Sequence, residues 1–165
     1  MTRYIPLLFV LFSCWGGGSG EALVIGAKSD LDSRILGERV ATHLETEGCR
    51  VERRFDLGDA KAADAVLVAG TIDAYVESQR VALLEILGQP DPQTNRIETV
   101  LRPLYVNRGL FWSPPLGEGD LAVVYRRDID GKCREASRAL MRVAYIVDEA
   151  SMKALRRSAT TGETR

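Results

Sequence analysis

The segment that begins at residue 22 limits the possible folds more strongly than any other part of the sequence. Leu23–Ile25 is a short apolar run, which is typical of a strand buried on both faces of a parallel sheet. Gly26 lets the chain leave the sheet, and Asp32 or Ser33 can cap a helix after the polar loop. The pattern predicts a strand, a loop and a helix N-terminus, which places a ligand-contacting loop at the carboxyl end of a strand.

Strand and helix patterns continue to alternate along the chain. Apolar residues recur at helical spacing up to Gly48, which is a suitable helix terminator. Two further strands are predicted at Val51–Phe55 and Leu121–Tyr125. Such alternation favours βαβ units. We therefore expect an α/β domain with a mostly parallel sheet flanked by helices, and C-terminal helices that pack back on the sheet.

Length and charge exclude several classes of protein. The 165 residues suffice for one domain with a substantial core but not for two full lobes. The formal net charge of −1 gives no indication of binding to nucleic acid or to an acidic membrane surface.

The N-terminus has the pattern of an export signal. A short cationic start precedes the apolar run Tyr4–Phe12, which is too short to span a bilayer. The run ends in Leu-Phe-Ser-Cys14, which looks like a bacterial lipobox, and Gly16–Gly20 would serve as a flexible tether. We expect acylation at Cys14 and a lipid-anchored location in the periplasm or cell envelope. Secretion with cleavage near Gly20 and an uncleaved anchor are the alternatives.

Several segments carry a family resemblance. Ile25–Glu38 reads I-G-A-K-S-D-L-D-S-R-I-L-G-E. It resembles the I-G-S-K-N-F-T-E-S-x-I-L-G-E opening of the glycine betaine, carnitine and choline (osmoprotectant) binding proteins of ABC transporters. Leu57–Ala60 resembles the L-G-G-T loop of that family, Gly70–Asp73 its G-x-I-D, and Tyr75–Val81 its Y-P-E-Y-T-G-T.

The resemblance covers two blocks of the chain. Residues 23–127 look like the first lobe of these binding proteins, and 139–155 look like their closing helices. Where the family inserts a second lobe, this chain has Asp128–Gly131 and a few neighbours, which predict a turn. The resemblance implies one lobe of a type II periplasmic-binding-protein-like fold over residues 21–157, after a signal and tether at 1–20 and before a disordered tail at 158–165.

The resemblance also implies where a solute would bind. The candidate ligand-binding residues lie after the predicted strands and in the Y-P-E-Y segment: Lys28, Ser29, Asp30, Gly58, Asp59, Tyr75 and Glu77. Solute would bind in a cleft between two lobes, and one lobe offers half of it. One tyrosine cannot surround a quaternary ammonium group. We expect weak or altered binding of a quaternary ammonium compound or related osmolyte, with an ABC permease or a full-length homologue as possible partner.

No other chemistry is indicated. His43 is the single histidine and is interpreted as a structural helix residue, so serine-type triads and His-based zinc sites lack members. Asp30 and Asp32 fit a solvated loop with a helix cap better than a metal pair. Cys49 and Cys133 are expected to be buried thiols, although an exported protein could pair them. We expect no enzyme, metal or cofactor; the alternative function is an envelope lipoprotein that serves as an interaction scaffold.

Replacing Cys14 with Ser should move the protein from the membrane to the soluble fraction, because the acylated cysteine is the predicted anchor. Cell fractionation with labelled fatty acid measures this, and Cys49→Ser is the matched control, which should keep the label. If the wild type and Cys14→Ser both stay membrane-bound and neither carries the lipid label, the acylation hypothesis is wrong.

Overall fold

A computed structural model describes residues 20–92, 96–117 and 119–143 of the chain. The predicted lipobox with Cys14, most of the glycine tether, the second closing helix and the tail therefore lie outside the described residues. The elements in chain order are β1 (Leu23–Gly26), α1 (Leu31–Thr46), β2 (Val51–Arg54), α2 (Ala60–Val68), β3 (Ala74–Ser78), α3 (Gln79–Val81), a π-helical turn (Ala82–Ile86), α4 (Ile97–Val106), β4 (Leu110–Trp112), β5 (Leu121–Arg126), α5 (Ile129–Lys132) and α6 (Ala136–Val143).

The strands form one five-stranded sheet in the order β2-β1-β3-β5-β4. β1 pairs in parallel with β2 and with β3, whereas β5 is antiparallel to both of its neighbours, β3 and β4. Four strands thus point the same way and β5 alone runs against them, which confirms a mostly parallel sheet. The three predicted strands all lie in it, but β3 separates β1 from β5.

Helix α1 begins two residues earlier than the sequence suggested. The N-cap is Asp30, whose Oδ1 accepts a hydrogen bond from Ser33 N at 2.8 Å. The prediction of Asp32 or Ser33 as the cap is therefore wrong: Asp32 lies in the first helical turn, and Ser33 is the donor to the cap. An aspartate three residues before a free backbone N–H accepts that hydrogen bond well.

Two apolar clusters cover the two faces of the sheet. The first contains Leu23 and Ile25 of β1 together with α1 and α6, and Leu140 of α6 is fully buried in it. The second lies under α2, the π-helical turn and α4. His43 of α1 donates its Nε2–H to the carbonyl of Ala139 at 3.1 Å, which adds a polar link between α1 and α6. The expectation that the C-terminal helices pack back on the sheet is confirmed for α6, which packs against α1 and shares this cluster with β1.

The segment that resembles a shortened lobe junction differs from expectation in two ways. The predicted turn around Asp128 forms the short helix α5, with the turn hydrogen bond from Gly131 N to the Asp128 carbonyl at 2.9 Å. Directly after α5, Cys133 is joined by a disulfide to Cys49, at a sequence separation of 84. The two residues are not free thiols, as expected first, but form the pair that an exported protein could make. The bond ties the end of α5 to the start of β2.

Replacing both paired cysteines with serine should destabilise the fold by about 2–5 kcal/mol. Without the disulfide, the unfolded chain gains the conformational entropy of the loop between two residues separated by 84 positions. Urea denaturation of the double variant measures this, with Cys14→Ser as the control that keeps the disulfide. An unchanged midpoint would contradict the pairing.

Candidate ligand-binding site

The loops after β1 and β2 are joined at the carboxyl edge of the sheet. Leu57 N donates to the carbonyl of Ala27 at 3.1 Å, Ser29 N donates to the carbonyl of Gly58 at 3.1 Å, and Gly58 N donates to Ser29 Oγ at 3.1 Å. Gly58 has φ of +84°, a left-handed conformation that favours glycine. The structure therefore brings the candidates Ser29 and Gly58 together, and most of their polar groups are used in holding the loops.

Asp30 and Asp59 both cap helices. Asp30 binds Ser33 through both carboxylate oxygens, and Asp59 Oδ1 accepts from Ala62 N at 2.9 Å at the start of α2. Burial acts to raise the pKa of Asp30, but the hydrogen bonds from Ser33 outweigh it and hold that pKa below its ordinary value. These two candidates have structural roles at helix N-termini.

Lys28 and Glu77 form the charged centre of this edge. Lys28 Nζ lies 2.6 Å from Glu77 Oε1, which also accepts from Ser78 N at 2.9 Å. The side chain of Glu77 is 0% exposed and that of Lys28 is 16% exposed. Burial raises the pKa of Glu77 above its ordinary value, and the lysine and the backbone N–H offset only part of this effect.

Tyr75 lies on the same face of β3 as Glu77, because side chains alternate along a strand. It belongs to the second apolar cluster and is 0% exposed. Burial, together with the negative charge of Glu77, raises the pKa of its hydroxyl well above the ordinary value. The resemblance implied that Tyr75 contacts solute, but in this structure its ring is covered by protein.

Several buried polar atoms of the described residues lack a hydrogen-bond partner. They are Tyr75 Oη, Glu77 Oε2, Gln79 Nε2 and Trp112 Nε1. Tyr75 and Trp112 both neighbour Val124 of β5 in the sheet register, from opposite sides. Leaving a polar group buried and unpaired costs about 1–3 kcal/mol, so such groups are expected where a ligand or water binds.

Sequence reasoning missed Gln79 and a buried ion pair. Asp64 of α2 is 3% exposed, accepts from the Tyr105 hydroxyl at 3.1 Å and forms a salt bridge with Arg108. The Arg108 guanidinium also lies 4.9 Å from the centre of the Tyr105 ring. The one signal in the sequence was a lone aspartate within the small-residue run of α2. The pair joins α2 to the end of α4 beneath the second cluster.

The part of the chain that the structure describes contains neither a candidate metal cluster nor a candidate membrane-spanning helix. No group of three or more His, Cys, Asp or Glu side chains there could hold a metal ion. No helix among the same residues is long and apolar enough to cross a membrane.

Comparison with known proteins gives one kind of match. No family model and no curated protein matches this sequence. Among solved structures, apo YehZ from Escherichia coli aligns with 59% of this chain at a TM-score of 0.53 and 19% identity. The match covers 36% of YehZ, so the chain spans about a third of that protein. At this identity the likeness shows the fold alone, and that fold is periplasmic-binding-protein-like.

Glu77→Gln should change how stability depends on pH. In the wild type, between the ordinary pKa of 4.5 and the raised pKa of the folded state, the folded state holds a proton that the unfolded state has lost, so stability falls as pH rises through this window. The glutamine side chain of the variant does not titrate in this pH range. Its stability relative to wild type should therefore increase from pH 4.5 towards neutrality.

Urea denaturation across that pH range measures the difference, with Glu85→Gln as the matched control for the removal of an exposed carboxylate. The opposite trend would mean that the lysine outweighs burial at Glu77.

Proposed function

We propose that this protein is an exported, non-enzymatic solute-binding lobe, related to the receptors of ABC-type osmoprotectant transport, with weak or altered binding of its solute. The observation that carries the proposal is the position of the Lys28–Glu77 pair. It lies at the carboxyl edge of a sheet whose fold is that of periplasmic binding proteins, where the loops after β1 and β2 meet. Open α/β sheets bind ligands at such edges.

This chain corresponds to only part of a two-lobed binding protein, which limits how tightly it can bind a solute. Binding proteins of this kind close two lobes around a solute by a hinge motion. The present chain matches 36% of YehZ. One lobe gives one wall of a cleft, and closure needs a second wall from a permease, a full-length homologue or another copy of this chain.

Export is the second part of the proposal. The signal-like N-terminus with Cys14 supports a lipid-anchored protein on the periplasmic or outer face of a membrane. The disulfide between Cys49 and Cys133 is consistent with this, because such bonds persist in oxidising compartments and are rare in the cytosol.

A scaffold without solute binding is the second candidate, and a specific observation favours it. The carboxylates of Asp30 and Asp59 cap helices, Ser29 and Gly58 bind each other, and Tyr75 is covered. Most of the candidate ligand positions are thus occupied by contacts that hold the fold. An envelope lipoprotein that presents the lobe to another protein would need no more than this.

Isothermal titration of the monomer with glycine betaine, choline, carnitine and proline separates the two candidates. We expect dissociation constants in the millimolar range or weaker for betaine and choline. The loss of two aromatic contacts of about 1–2 kcal/mol each reduces affinity roughly ten- to a thousand-fold, and the loss of closure reduces it further.

Light scattering on the same sample establishes the oligomeric state. Micromolar binding by a proven monomer would refute the expectation of weak binding. The absence of binding for all four solutes would favour the scaffold.

A further inference from the structure

We infer that the Lys28–Glu77 pair selects an amino-acid-like zwitterion, with an ammonium that carries at least one N–H and a carboxylate, over a quaternary ammonium solute. The inference rests on the proposed solute binding and names the class of solute. It follows from the hydrogen-bonding capacity that the pair leaves unused.

Glu77 needs a donor. Its Oε1 accepts from Lys28 Nζ and Ser78 N, but its Oε2 has no partner among the described residues. The side chain is fully buried, so bulk solvent supplies no donor to this oxygen, and a solute would have to displace part of this edge to reach it. A carboxylate oxygen can only accept hydrogen bonds, and an ammonium with an N–H satisfies it. A quaternary ammonium group has no N–H and leaves the oxygen unpaired.

Lys28 supplies the complementary half. Its ammonium has three N–H donors, and Glu77 takes one of them. Lys28 is the more exposed member of the pair, and its long flexible stem lets the ammonium move towards a carboxylate in the cleft. A zwitterion adds no net charge to this edge, where Asp30 also acts electrostatically on Lys28 and Glu77.

The aromatic residue that the resemblance implies for solute contact offers no exposed face in this structure. Recognition of such cations depends on exposed aromatic faces. Tyr75, two residues before Glu77 on the same face of β3, is fully buried. Hydrogen bonding to Glu77 and Lys28 is therefore the stronger basis for recognition at this edge.

An N-methylation series tests the inference directly. Glycine, N-methylglycine, N,N-dimethylglycine and glycine betaine share a carboxylate and lose one N–H at each step. One N–H suffices for Glu77 Oε2, so affinity should change little up to dimethylglycine and fall at least about tenfold at the last methyl. Ligand-observed NMR titration of the full chain is suited to millimolar affinities.

Two variants assign the effect to Glu77. Glu77→Gln should reduce the step at the last methyl to less than about threefold, because the charged acceptor is lost. Glu85→Gln, an exposed carboxylate on the π-helical turn, should keep the full step. Circular dichroism checks that both variants fold. If Glu77→Gln does not fold, the series on the wild type decides alone.

The outcomes distinguish the inference from the proposed function. If glycine betaine binds as well as or better than dimethylglycine, or if affinity falls evenly with each methyl, the inference is wrong and solute binding stands. If none of the four solutes binds at tens of millimolar, the proposed function fails and the inference fails with it.

Discussion

Asp73 is the residue on which the assembly of the sheet depends. Its Oδ2 accepts from Val24 N at 2.8 Å and from Lys132 Nζ at 3.1 Å. Its own N–H donates to the carbonyl of Val24 at 2.7 Å, and its carbonyl accepts from Arg126 N at 2.9 Å. Asp73 is 1% exposed; its carboxylate joins β1 to α5, and its backbone carbonyl adds the link to β5. A buried carboxylate is tolerated when it is paired and hydrogen-bonded; here β1 supplies an N–H donor and α5 supplies the lysine.

The charged residues at the two edges of the sheet have different roles. At the amino edge, Asp73 and Lys132 are satisfied, and the nearby disulfide of Cys133 fastens the returning chain. At the carboxyl edge, Lys28 and Glu77 are paired, but one oxygen of Glu77 has no hydrogen-bond partner among the residues that the structure describes. The first arrangement stabilises the fold. The second leaves a polar group that a ligand would complete, which is the expected place for function in an α/β sheet.

Several residues that the family resemblance suggests for binding have structural roles in this protein. Asp30 and Asp59 satisfy free backbone N–H groups at helix N-termini, and Gly58 closes the contact between two loops. In these loops the same polar groups that could contact a solute are needed to cap the following helix and to bind the neighbouring loop. Among these candidates, Lys28, Glu77 and the buried hydroxyl of Tyr75 keep hydrogen-bonding capacity that the described residues do not use.

The sequence alone determined the α/β class, the three predicted strands and the helix faces, because hydrophobic periodicity and glycine positions are local properties. It also singled out Lys28, after the first predicted strand, and Glu77, through the family resemblance. The tertiary structure decided the strand order, the cysteine pairing and the burial of individual side chains, which hydrophobic periodicity does not encode. β3 lies between β1 and β5, Cys49 meets Cys133 across the fold, and Tyr75 turns into the core while Glu77 keeps an unpaired oxygen. Partners distant in sequence are set by packing and long-range pairing, which no local pattern specifies.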